Sequence, residues 1–112
     1  MNTTATTSFI NIIAELAVSA SNLCEEINFA FTNNCIPSKE YEGYVILYDD
    51  LNGLIRDFNI GGTSPNTFLR NLYDITKSYE QLGNTIYTKS MYDLLADTYI
   101  ELAEINLYRK DA

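Results

Sequence analysis

The sequence predicts an all-α protein, a single-domain antiparallel four-helix bundle, and three observations lead there. Apolar residues recur at intervals of three and four along four separate stretches, the period of an α-helix rather than of a strand. The connections between those stretches are only about four to six residues long, which makes successive helices antiparallel neighbours. The chain has 112 residues, 46% of them apolar and 20% charged, enough for one hydrophobic core and too few for two.

The first helix is expected over residues 8–33. Phe9, Ile13, Leu16, Ala20, Leu23, Ile27 and Ala30 form one stripe, while Asn11, Glu15, Asn22, Glu25 and Asn28 fall opposite it. Ser8 is the expected N-cap, which leaves residues 1–7 as a flexible N-terminus. The run Thr32-Asn33-Asn34-Cys35-Ile36-Pro37 should end the helix, because residues before proline avoid helical dihedrals.

The second helix is expected over residues 38–59, opening at Ser38 with Glu40 in its first turn, where a carboxylate meets the positive end of the helix dipole. Its seam is largely tyrosine: Tyr41, Tyr44, Tyr48, Leu51, Ile55 and Phe58, widened by Leu47 and Leu54. Gly53 inside it costs about 1 kcal/mol relative to Ala, for which close helix packing is the expected compensation. Gly61-Gly62 supplies a left-handed termination.

Ser64-Pro65 is the strongest start signal in the chain, since serine accepts the free amides and proline suits the first helical position. The third helix is expected over residues 65–82, with Phe68, Leu72, Ile75, Tyr79 and Leu82 as its seam and Gly83 as its stop. Leu69 and Tyr73 fall at or beyond the edge of that stripe.

The fourth helix is expected over residues 87–109, with Arg109 and Lys110 at its negative end. Asp93, Asp97, Glu101 and Glu104 fall within an arc of roughly 80° that also holds Tyr108. The rest of the circumference is largely apolar, through Met91, Leu94, Leu95, Tyr99, Ile100, Leu102, Ala103, Ile105 and Leu107. That is more than one corner of a small bundle needs, so a homodimer through this helix is an expectation of the pattern.

The 15 carboxylates against 7 Lys and Arg give a net charge of -8 and a pI near 4.2. Direct binding to nucleic acid is therefore not expected, because affinity for phosphates comes from clustered bases; a basic protein partner is. Residues 60–83 are net neutral, so the acidic field belongs to the other three helices. No stretch reaches about 18 uninterrupted apolar residues, and no membrane interaction is expected. The apolar run Phe9–Ala20 has no Lys or Arg before it and is interrupted by Asn11 and Glu15, which argues against a secretory signal. Cys24 and Cys35 lie about 16 Å apart if the segment between them is helical, too far for a disulfide. Two free thiols fit a reducing compartment, and the expected localisation is cytoplasmic.

The chain has no histidine, which removes Ser-His and Cys-His nucleophile systems and the Glu-x-x-His pairs of di-iron bundles. Gly61-Gly62-Thr63-Ser64 precedes a helix but lacks the phosphate-binding lysine of a P-loop. No catalytic residue, cofactor or metal is assigned. Glu101-x-x-Glu104 resembles half of the metal motif of helical nucleotide pyrophosphatases of the MazG type. That resemblance covers four residues and implies a magnesium site of carboxylates and a nucleotide hydrolase. The family's second acidic pair, on a facing helix, is not matched by Asp49-Asp50 or Asp57 in spacing.

Nine tyrosines supply contact area at little cost in rotamer entropy. Together with the acidic faces they point to a small, non-enzymatic protein-binding module. Its expected role is that of an inhibitor, immunity protein or antagonist, including a phage-encoded anti-defence protein or nucleic-acid mimic, that blocks a basic partner handling nucleic acid. The expected contact residues are Asp93, Asp97, Glu101, Glu104 and Tyr108 on the fourth helix, Asp49, Asp50 and Asp57 on the second, and Tyr73 on the third. The alternatives are a homo-oligomeric helical scaffold and the magnesium-dependent hydrolase.

Overall fold

The computed structural model describes residues 3–83 and 85–111, and the side chains of residues 7–83 and 85–106. Four helices follow one another: α1 (Thr3–Thr32), α2 (Ser38–Asn59), α3 (Pro65–Glu80) and α4 (Ile86–Asp111). They form an antiparallel four-helix bundle about 50 × 22 × 18 Å in extent. Each helix packs on its neighbours in sequence and α4 returns to close the ring on α1, its most extensive partner.

The stripe on α1 is core as its spacing predicts. Phe9, Ile13, Leu16, Ala20, Ile27 and Ala30 are buried, with Leu23 packed against them. The start differs: α1 begins at Thr3, so Ser8 lies inside the helix and does not cap it, and residues 3–7 continue the helix instead of forming a flexible end. No Gly or Pro interrupts Thr3–Ser8, so nothing in that stretch breaks the ladder. At the other end Asn34 takes a left-handed conformation (φ 61°), and the Cys35 N–H donates to the Ala30 carbonyl at 2.8 Å. By length and composition α1 is apolar enough to cross a membrane, a property the count of uninterrupted apolar residues does not register. Here its apolar stripe faces the other three helices.

Gly61 ends α2 with φ 81°, and the Gly62 N–H donates to the Asp57 carbonyl at 2.8 Å. Gly53 does not mark close packing. A Cβ there would meet only the Arg56 Nη2, at 3.7 Å. The close approach is at Gly43, where the Leu82 side chain of the α3–α4 connection occupies the space a Cβ would need. Ser64 caps α3, its Oγ accepting from the Thr67 N–H at 3.2 Å. The helix ends at Glu80, two residues before the expected boundary, and Leu69 is core rather than edge because α4 covers it.

On α4, Met91, Leu95 and Leu102 are fully buried, and Tyr92, Leu94, Tyr99 and Ile105 pack against the core from both sides. Two neighbouring helices cover this apolar circumference. Among the large apolar side chains described on α4, only Ile86 and Ile100 stand exposed.

Two tyrosines lie at the centre of the α2–α3 contact. Tyr44 and Tyr79 are each about 1% exposed, with ring centroids 5.9 Å apart, and the Tyr79 hydroxyl donates to the Tyr44 carbonyl at 3.4 Å. The Tyr44 hydroxyl makes no hydrogen bond. Burial, and then the neighbouring Cys24 thiol, raise the Tyr44 pKa above its ordinary value; burial does the same for Tyr79. Both phenols stay protonated in the folded protein at a pH where the unfolded chain releases its protons, near pH 10. Stability is therefore expected to fall as pH rises above about 10, by up to about 1.4 kcal/mol per pH unit for each of the two. Tyrosinate absorbance should show two of the nine residues titrating only with loss of helical ellipticity. Smooth titration of all nine while the fold persists would contradict this.

Candidate functional site

The acidic residues are placed by helix rotation, and the contacts fix that rotation. Phe31 stacks on Tyr41 with centroids 3.9 Å apart, and the Tyr41 hydroxyl donates to Asn28 Oδ1 at 2.6 Å, so this side of α1 faces α2. Glu15 and Glu26 lie roughly 140 to 160° around the helix from Phe31, on the outer face toward α4, and both are exposed. Tyr99 marks the side of α4 that faces α3, its ring centroid 5.7 Å from that of Tyr73. Asp93, Asp97, Glu101 and Glu104 lie roughly 120 to 160° from Tyr99, on the outer face toward α1, and all four are exposed. The α1–α4 face thus carries six carboxylates, and none of the described Lys or Arg side chains falls among them. Sequence periodicity finds the four on α4. The two on α1 are visible only once α1 and α4 are known to be neighbours.

Asp49, Asp50 and Asp57 lie elsewhere, in a groove of about 470 Å³ between α2 and α3. Asp74 of α3 joins them, and Arg56 is the one base lining that groove. Asp74 escapes a charge count by segment, because α3 is neutral overall. This groove and the six-carboxylate face are on opposite sides of the bundle.

Tyr73 belongs to neither face. It is 48% exposed and lines an open groove between α3 and α4 with Tyr99, Arg70, Asn66 and Asn106, away from the acids. The side chain of Tyr108 is outside the described residues. The expected contact residues therefore divide among three faces.

Among the described residues one ion pair forms, Lys77 Nζ to Glu80 Oε1 at 2.9 Å. It lowers the Glu80 carboxyl pKa and raises that of Lys77, and Glu80 in turn raises that of Tyr92. The acids of the two acidic faces have no such neutralising partner among the described residues.

Glu40 behaves differently from every other described acid. It is only 8% exposed, and its Oε2 accepts from Thr88 Oγ1 at 2.7 Å and also from Thr85 Oγ1. Gly83 makes the room, since a Cβ there would overlap the Glu40 carboxylate. The first turn of α2 is so tied to the start of α4. Cys24 is half-buried against the core and Cys35 is exposed; neither is in a disulfide.

Among the described residues no group of three or more Cys, Asp or Glu is arranged to hold a metal ion. Glu101 and Glu104 project to the outer face, and no other described residue joins them in a group that could hold a metal ion, so the half-motif that resembles the nucleotide pyrophosphatases stays a half. No family model matches the chain, and no curated protein or solved structure matches it either.

Proposed function

We propose that this chain is a small, non-enzymatic protein-binding module that inhibits or neutralises a basic partner handling nucleic acid, in the manner of an immunity protein, an anti-defence antagonist or a nucleic-acid mimic. The observation that supports this most is the six-carboxylate α1–α4 face. Successive acids Asp93, Asp97 and Glu101 are four residues apart, which spaces them about 6 Å along a rigid axis. A nucleic-acid strand places a charge about every 3.4 Å along its axis, so the stripe offers a basic groove a similar ladder at about half the density. Rigidity adds to the effect, because a helix holds its charges in register before contact. Complementary fields speed the encounter with a basic groove, and salt screens them.

The test uses purified DNA-binding proteins of high pI, each with a fluorescent duplex already bound. Addition of this protein is expected to displace the duplex, less effectively as salt is raised from 50 to 200 mM. Asp97→Lys combined with Glu101→Lys is expected to lower the apparent affinity by about tenfold or more with no loss of helical ellipticity. Displacement indifferent to both salt and the double substitution would overturn the reading.

A further inference from the structure

The α2–α3 seam continues beyond its acidic groove into an apolar cleft of about 620 Å³, lined by Gly43, Ile46, Leu47 and Leu82, with Lys39 at its end. The Leu82 side chain takes the space above Gly43, and Ile46 is 64% exposed on the rim. One to three turns further along α2 come Asp49, Asp50 and Asp57, with Asp74 opposite on α3 and the single base Arg56. An apolar depression is thus followed, along one line between two antiparallel helices, by a strongly acidic one. From Gly43 to Asp57 that line runs about 21 Å.

We infer that this seam is a docking groove for an amphipathic helix of the basic partner, one that seats apolar side chains in the Ile46–Leu82 cleft and sets Lys or Arg against the aspartates. The inference rests on the reading of the chain as a module for basic partners and names a second surface for it, on the side opposite the α1–α4 face. Charge complementarity selects the occupant: Asp49, Asp50, Asp57 and Asp74 outnumber the two bases that line the seam, Arg56 in the acidic groove and Lys39 at the end of the apolar cleft, and so favour a cationic segment. The shape selects its form, because a groove between parallel rods admits a helix through anchors one and two turns apart. Its order of features, apolar first and acidic after, then fixes which end of the partner helix carries its bases.

The probe is a synthetic eighteen-residue Leu–Lys helix with its leucines on one face, compared with a scrambled peptide of the same composition and a Leu–Glu helix of the same pattern. Fluorescence anisotropy at 50 mM salt is expected to show one-to-one binding of the Leu–Lys helix, at least tenfold tighter than either control. Ile46→Asp is expected to weaken it about tenfold. That substitution adds a negative charge, so a contact made by charge alone would tighten instead. Asp50→Asn with Asp57→Asn is expected to weaken it about fivefold and flatten its salt dependence. Asp97→Asn with Glu101→Asn should leave it within twofold.

Equal binding of the scrambled peptide, or an Ile46→Asp variant that binds as well as the wild type, would overturn the groove assignment. So would a dimer, seen by light scattering, that Ile46→Asp dissociates, since the occupant would then be a second copy. None of these results touches the duplex-displacement experiment, whose own failure would remove the basic-partner reading whatever the peptide does.

Discussion

Phe68→Ala is expected to lower the unfolding free energy by about 3 to 5 kcal/mol, the range for removing a fully buried aromatic ring. Phe68 has no exposed surface, and its ring joins three helices. It packs edge-on to Phe9 of α1 at 6.2 Å and to Phe58 of α2 at 5.3 Å, while Phe9 and Phe58 meet at 5.5 Å. Truncation would leave a void bounded by two aromatic faces on separate helices, and rigid rods close on such a void only in part. Thermal unfolding by circular dichroism should show a drop in Tm of well over 10 °C. A loss under about 1 kcal/mol would mean that this aromatic triad does not exist in solution.

Glu40→Ala comes next, with an expected loss of about 2 to 3 kcal/mol. The carboxylate accepts from Thr85 and Thr88, and hydrogen bonds to a charged acceptor contribute about 1.5 to 3 kcal/mol. Its place in the first turn of α2 adds a favourable term with the helix dipole. Thr88→Val should lose less alone, since Thr85 remains. The decisive measurement is the double-mutant cycle in chemical denaturation. Glu40→Ala and Thr88→Val should be less than additive, with a coupling of about 1 to 2 kcal/mol. Strict additivity would show that the two side chains do not interact.

The architecture was readable because the signals on each helix agree. The α1 stripe, the Ser64-Pro65 start of α3 and the Gly61-Gly62 stop of α2 are local, and each is decided by residues within a turn or two. What escaped the sequence depends on how one helix is rotated against another. Nothing near Glu40 in the chain distinguishes it from an ordinary first-turn acid; its burial comes from Gly83, Thr85 and Thr88, more than forty residues away. Gly53 stands out in the sequence as an interior glycine although a Cβ there would meet only the Arg56 side chain, while Gly43, where Leu82 packs, has no local mark.

The same dependence governs the candidate surfaces. Spacing places four acids on one side of α4, but only the α1–α4 contact adds Glu15 and Glu26 to them. Asp74, on an electrically neutral helix, joins the α2 aspartates because the seam brings it there. Tyr73, at the edge of the α3 stripe by spacing, lies against Tyr99 in a groove apart from the acids.

The principal partner of α1 is the last of these four helices to be synthesised. At about 5 to 20 residues per second, translation takes several seconds to pass from Thr32 to the end of α4. Throughout that interval the nascent chain holds out a thirty-residue amphipathic segment with most of its cover still unmade. Early synthesis is therefore when this protein is most open to chaperone capture and aggregation, and slowing elongation between α3 and α4 would lengthen that exposure.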